Sequence, residues 1–290
     1  MTDAATSAAP TLTGRPRVLV VEDNVVNQQL VLVMLARAGY VAEVAMDGRE
    51  ALALLRAHRF DLVLMDLQMP VMDGLQATRE LRQPGSGVLD PAVPVIALTA
   101  NAFAEDRARS FAAGMNDFLT KPVDPRRLFD TLAKWLRPPV ADEPGSVEPY
   151  ASEAAGDQQA ELDADAMPVL DRAGLFERAM DDAQLAADLL EAFLHEYPGL
   201  RAALQSAIGN HDVIAMMNVA HTIKGAAANV GALRVAHAAG RVEHQAAADP
   251  ASRLGDLFLA LDRHLVEFER VVVAMRGSLV AGEAPAGAAR

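Results

Sequence analysis

The 290-residue chain contains no cysteine, which excludes a disulfide framework and any thiolate metal site. It also lacks an apolar run of the roughly 18–20 residues needed to cross a bilayer, so no membrane-spanning segment is expected. The opening "MTDAATSAAPTLTGRP" has neither a basic start nor an apolar core, so no secretory signal is expected there and the default is a cytoplasmic protein. Positive charge is scarce as well: 26 Lys and Arg face 39 Asp and Glu, for a net charge of -13. Neither half of the chain is basic, which removes the electrostatic footprint of a nucleic-acid binder.

The negative charge is unevenly spread. Residues 1–137 carry 15 basic and 16 acidic side chains, whereas residues 138–168 carry 8 acids and no Lys or Arg. That middle stretch, rich in Pro and small residues, cannot bury enough apolar surface to fold and reads as a flexible acidic linker. The expected organisation is a disordered N-terminus over 1–15, an α/β domain over 16–137, the linker over 138–168, a helical domain over 169–277 and a disordered C-terminus over 278–290.

In the first domain, short apolar runs ("RVLVVED", "VAEVA", "DLVLMD", "VPVIALTA", "DFLTKP") alternate with helix-like segments near 25–38, 48–57, 74–82, 104–113 and 125–136. Continuous Val/Ile/Leu runs suit strands buried on both faces, and five such repeats predict a doubly wound five-stranded parallel sheet. After residue 168 no strand pattern remains. Apolar residues recur at three- and four-residue steps, broken by "GNHD", "VGA" and "ADPAS", and predict four or five antiparallel helices in a bundle.

The conspicuous polar residues of the first domain each follow an apolar run: Glu22 and Asp23, Asp66, Thr99 and Lys121. In an open parallel sheet the carboxyl ends of the strands line one crevice. Three carboxylates there repel unless a cation neutralises them, and all-oxygen ligands favour Mg²⁺. A carboxylate can form an acyl phosphate, and a hydroxyl and an ammonium opposite it suit phosphoryl oxygens. Any one of these residues alone reads equally as a turn former, a helix cap or a solvated charge; five at four strand ends do not.

In the second domain "AHTIKGAAANVG", residues 220–231, sets His221 among very small residues. At 100° per residue Met216, Ala220, Ile223, Ala227 and Val230 form the buried stripe, with His221 roughly 130° from its centre. His221 is therefore expected to face solvent, with Lys224 beside it and Gly225 above it. A mid-helix glycine costs about 1 kcal/mol relative to Ala, which makes sense if another protein must bring a pocket against the ring. The other six histidines read as surface or packing residues, and no spacing supports a zinc site through His221, His237 and His244.

"VLVVEDN", "DLVLMDLQMPVMDG", "VPVIALTA" and "FLTKP" resemble the receiver domain of response regulators and hybrid histidine kinases, with its flavodoxin-like, CheY-like fold. The resemblance implies that Asp66 is the phosphoacceptor and that Glu22, Asp23, Asp66 and the Gln68 carbonyl hold Mg²⁺. It further implies that Thr99 and Lys121 bind the phosphoryl group, that Phe118 is the aromatic moving with Thr99, and that the Lys121–Pro122 bond is cis. Many receivers have Tyr where Phe118 stands. "AHTIKGAAANVGA" resembles the signature of histidine-containing phosphotransfer (HPt) domains, often with Ser at the position of Ala226. That likeness implies phosphorylation on His221, steadying of the phosphoryl group by Lys224, and docking room for a receiver at Gly225.

The function expected is a phosphorelay carrier, partnered by a histidine kinase or HPt donor and a downstream receiver. No Gly-rich P-loop or kinase nucleotide box occurs, so the chain is not expected to use ATP itself or to be a conventional metabolic enzyme. A Mg²⁺-dependent phosphohydrolase built on Asp66 and an unphosphorylated scaffold are the alternatives. The first is opposed by Gln68, which stands where D-x-D phosphatases carry a second acid.

Overall fold

The computed structural model describes residues 15–100, 104–136, 166–249 and 254–280. The expected acidic linker lies almost wholly outside the described residues, as do the expected terminal segments apart from their inner edges.

Five strands, β1 (Arg17–Val21), β2 (Val41–Ala45), β3 (Leu62–Asp66), β4 (Val95–Thr99) and β5 (Asp117–Thr120), alternate with five helices. These are α1 (Val25–Arg37), α2 (Gly48–Ala57), α3 (Gly74–Arg82), α4 (Ala104–Ala112) and α5 (Pro125–Leu136). The strands form one parallel sheet in the order β2-β1-β3-β4-β5. Every residue of β3 and β4 is buried, as their unbroken apolar runs require of strands covered on both faces. Asx side chains start the helices that leave the sheet. Asn24 accepts from the Asn27 N–H, Asp47 from Arg49 and Glu50, and Asp73 from Gln76, each satisfying donors of an open first turn.

The second domain is helical throughout its described part: α6 (Arg172–Arg178), α7 (Ala183–Gly209), α8 (Val213–Asn229), α9 (Leu233–Ala248) and α10 (Leu254–Val280). The α7–α8 and α8–α9 connections are three residues each, so successive helices must reverse. Helix α7 packs on α8, α8 on α9, α9 on α10 and α10 back on α7, closing a four-helix ring with α6 against α7. The predicted stripe of Met216, Ala220, Ile223, Ala227 and Val230 is fully buried in that ring.

The apolar cores of the two domains meet. Helix α1 lies against α7 and α8, so Val26, Leu30 and Met34 belong to the same buried cluster as Leu189, Phe193 and Ile223. Arg37, in the last turn of α1, pairs with Asp182, which caps α7.

Candidate functional site

The strand register brings the predicted polar residues of the first domain to one level. Val21 pairs with Met65, which sets Glu22 beside Asp66; Asp66 pairs with Leu98, and Thr99 with Thr120. Glu22, Asp23, Asp66, Thr99 and Lys121 therefore gather at the carboxyl edge where the sheet order turns from β1 to β3. The Lys121 Nζ lies 2.6 Å from Asp66 Oδ2 and 2.6 Å from Glu22 Oε2. The Gln68 N–H donates to Asp66 Oδ1 at 3.2 Å, Thr99 is buried at the end of β4, and its carbonyl accepts from the Lys121 N–H at 2.7 Å. The Lys121–Pro122 peptide is cis. Phe118 is half-buried on β5, with the Arg107 guanidinium 4.9 Å from its ring centre.

Glycine is obligatory next to this site at one position. A Cβ on Gly74 would stand 2.0 Å from the backbone oxygen of Asp66, so only a bare α-carbon lets α3 start against the loop that follows the acid.

One ammonium does not balance three acids. Burial and the neighbouring Asp66 raise Asp23 to about 6, and burial, opposed in part by Lys121, raises Glu22. Burial also works against the Lys121 ammonium, yet Asp66 and Glu22 outweigh it and raise its pKa. Glu22, Asp23 and Asp66 each offer a carboxylate oxygen within 4.8 Å of the others, and no other such group of metal-type ligands occurs among the described residues. Three hard oxygen donors with unrelieved negative charge fit a small divalent cation such as Mg²⁺.

His221 departs from expectation. It is 6% exposed, not solvent-facing. Helical arithmetic placed the ring off the bundle stripe correctly, but α9 of the same bundle and the sheet domain together cover that flank of α8. Glu243 of α9 meets the His221 Nδ1 at 2.8 Å, and Asp23 approaches from the sheet domain, its Oδ2 accepting from Thr222 Oγ1 at 3.4 Å. Lys224 shares the same acid, with Nζ 3.4 Å from Glu243 Oε2. Burial alone would raise Glu243, but the hydrogen bond and charge of His221, then Lys224, hold it below the ordinary carboxylate range.

Gly225 faces α1: a Cβ there would lie 3.5 Å from Asn27 Nδ2. Asn27 is 4% exposed and joins the two domains, donating to Glu22 Oε1 at 2.7 Å and accepting from Asn229 Nδ2 at 2.6 Å. Asn27, Asn229 and Glu243 were not singled out from the sequence. Their signal is a polar residue in phase with an apolar stripe: Asn27 precedes Leu30 and Val31 by three and four, and Glu243 follows Ala239 by four.

An acid crevice on a five-stranded parallel sheet, set against a helix-borne histidine, defines a two-component phosphorelay protein. Residues 18–133 match the response regulator receiver domain and residues 188–270 match the Hpt domain, so the chain belongs to the proteins that carry a receiver followed by an HPt domain. It is 35% identical over 240 residues to the sensor protein GacS of Pseudomonas syringae pv. syringae, covering 81% of this chain and 25% of that protein. It is 33% identical over 234 residues to the sensor histidine kinase GacS of Pseudomonas protegens, covering 80% and 24%. The chain thus spans about a quarter of the length of these relatives. Among solved structures, the receiver domain of the sensor histidine kinase PA1611 from Pseudomonas aeruginosa is 42% identical, with a TM-score of 0.39, covering 42% of this chain and 98% of that one.

Proposed function

We propose that this phosphorelay protein accepts a phosphoryl group on Asp66 and exchanges it with His221 of the same chain. The observation that carries the reading is the docked pair of domains: Asp23, at the rim of the receiver crevice, touches Thr222, the residue next to His221. Separate kinases or HPt donors on the input side and a further receiver on the output side are the partners this reading requires, in a cytoplasmic setting.

The chemistry follows from the side chains. An Asp66 carboxylate oxygen attacks a donor's phosphorus. The bond from phosphorus to the donor's nitrogen or oxygen breaks with its electron pair leaving on the donor, and an acyl phosphate forms on Asp66. Glu22, Asp23 and Asp66, with the Gln68 carbonyl, would hold Mg²⁺, which supplies charge neutralisation at the phosphoryl oxygens when bound. Lys121, already on Asp66, and the Thr99 hydroxyl would hold those oxygens as charge shifts. For transfer, Glu243 accepts the Nδ1–H of His221, which leaves the Nε2 lone pair free. Nε2 attacks phosphorus, the P–O bond to Asp66 breaks, and its electron pair returns to the carboxylate. The positive charge that develops on the ring is met by Glu243. The steps run in either direction because both phosphorylated states are high in energy. Lys224, tied to Glu243, steadies the phosphoryl group on nitrogen, and Gly225 seats the docked α1.

Single-turnover labelling with a small phosphodonor and Mg²⁺ tests this. A base-labile label on Asp66 should give way to an acid-labile one on His221. His221→Gln should trap the first and Asp66→Asn should abolish both. Label that survives both substitutions, or steady turnover of small phosphate esters in place of label, overturns the reading.

A further inference from the structure

The contact between α1 and the bundle is mostly apolar: Leu30 and Met34 on one side share a cluster with Leu189 and Phe193 on the other. Apolar burial is non-directional, so it holds surfaces together without fixing which turn meets which. Inside that contact lies one buried amide pair, Asn27 with Asn229, 4% and 2% exposed.

The orientation of Asn27 is set from within the receiver. Its Nδ2 is engaged by Glu22 Oε1 at 2.7 Å, and a carboxylate only accepts, so Oδ1 must point away. That oxygen faces α8, where Asn229 Nδ2 donates to it at 2.6 Å. Gly225, one turn before Asn229, leaves the lane open: the nearest receiver atom to a Cβ there is Asn27 Nδ2 itself. The receiver thus presents an acceptor at a fixed height above Asp23, and the bundle presents a donor two turns beyond His221.

We propose that Asn27–Asn229 is the register and selectivity pair of the docking face. Its partner is a receiver that carries an asparagine in the first turn of its first helix, held by the acid that ends its first strand. This rests on the relay reading above and deepens it. A receiver with an apolar residue there strands the buried Asn229 donor, and one slipped by a turn does the same. A single buried polar pair in an apolar contact is a known way to fix register at some cost in stability. The site acts through alignment, so Asn27 and Asn229 are positioning residues.

The test is a double-mutant cycle in the full chain, read as the rate at which label moves from Asp66 to His221 after loading with a small phosphodonor and Mg²⁺. Asn229→Leu should slow transfer roughly tenfold, the effect of one stranded buried acceptor, Asn27 Oδ1. Asn229 lies outside the receiver, so loading of Asp66 should be unchanged. Asn27→Leu with Asn229→Leu should transfer faster than the product of the two single effects, because Asn229→Leu strands Asn27 Oδ1 only while Asn27 is present. The bond to Glu22 Oε1 is lost with Asn27 in either background and cancels in the cycle. Asn229→Ala, which adds no bulk, should slow transfer like Asn229→Leu and guards against a packing artefact. Wild-type transfer rates in both Asn229 variants, or rates in the double variant equal to the product of the single effects, overturn the pair. Absence of transfer in the unmodified chain overturns the relay reading, and the pair with it.

Discussion

Nδ1 of His221 and Oε1 of Glu243 lie 2.8 Å apart, on neighbouring helices of the bundle. The acid holds the proton of the imidazole on Nδ1, and in the proposed transfer it would oppose the positive charge that forms as Nε2 takes a phosphoryl group.

Glu243→Ala should therefore lower the rate of His221 phosphorylation roughly tenfold, about 1.4 kcal/mol of transition-state stabilisation. Nitrogen NMR of the His221 ring should show the proton on Nδ1 in the parent and a mixture of tautomers in the variant. The pH dependence has a definite sign. The folded pKa of Glu243 is depressed below its ordinary 4.5, so its contribution to bundle stability is complete above that value. It is lost as pH falls through the depressed value. The acid limb of a thermal-stability profile below pH 4.5 should be shallower in the variant.

Asp23 presents the opposite case. Its pKa is raised from 3.8 to about 6, so between those values the folded chain keeps a proton that the unfolded chain has released. The metal-free protein should lose stability as pH rises through this window and carry the full penalty above about pH 6. Asp23→Asn removes the charge and should stabilise the metal-free protein by ~1–3 kcal/mol at pH 7.5 and by little near pH 4. The same substitution should abolish the rise in Tm that Mg²⁺ gives the parent. Calorimetry with and without Mg²⁺ at the two pH values checks both statements.

Much of this was legible in the sequence because its signals are local. Five apolar runs gave five strands, and helical arithmetic found the α8 stripe. The crevice residues were found because a parallel sheet sends all strand ends to one edge. Burial of His221 runs against the periodicity for a physical reason: periodicity marks the centre of a helix's buried stripe and is silent about its flank, which here is closed by Glu243 of α9 and by the second domain. Asn27, Asn229 and Glu243 are harder to read because each shows locally only a polar residue in phase with an apolar stripe, while its partner lies on another helix: 22 residues away for Glu243 and His221, and 202 for Asn27 and Asn229.

Gly74 allows a sharp stability prediction. A Cβ there meets the Asp66 backbone oxygen at 2.0 Å, and the side chain of Met65 at 2.8 Å. Because the first obstacle is main chain, it can yield only by moving the end of β3, which carries Asp66. Gly74→Ala should destabilise the receiver by ~2–4 kcal/mol and suppress Asp66 labelling. Denaturant unfolding with a label count on the folded fraction separates the two effects. Gly39, whose Cβ would meet nothing within 4 Å but whose φ is +83°, offers a contrast. Gly39→Ala should cost only the backbone strain of about 1 kcal/mol and leave labelling intact.

Gly225 behaves differently again, because its neighbour is the other domain. A Cβ at this position stands 3.5 Å from Asn27 Nδ2, an ordinary contact, so a methyl group fits with α1 docked. Alanine also favours the helix by roughly 1 kcal/mol over glycine. Gly225→Ala should therefore raise the stability of the bundle and keep transfer from Asp66 to His221 within a few-fold of the parent. A branched chain reaches past the contact into the lane that Asn27 uses. Gly225→Leu should leave the bundle folded and Asp66 loading intact, yet reduce transfer by tenfold or more, since α1 would have to lift away. Thermal melts and single-turnover transfer on the two variants give the comparison. Equal transfer in Ala and Leu variants would mean that the glycine serves the bundle itself and that the docked receiver does not need the space.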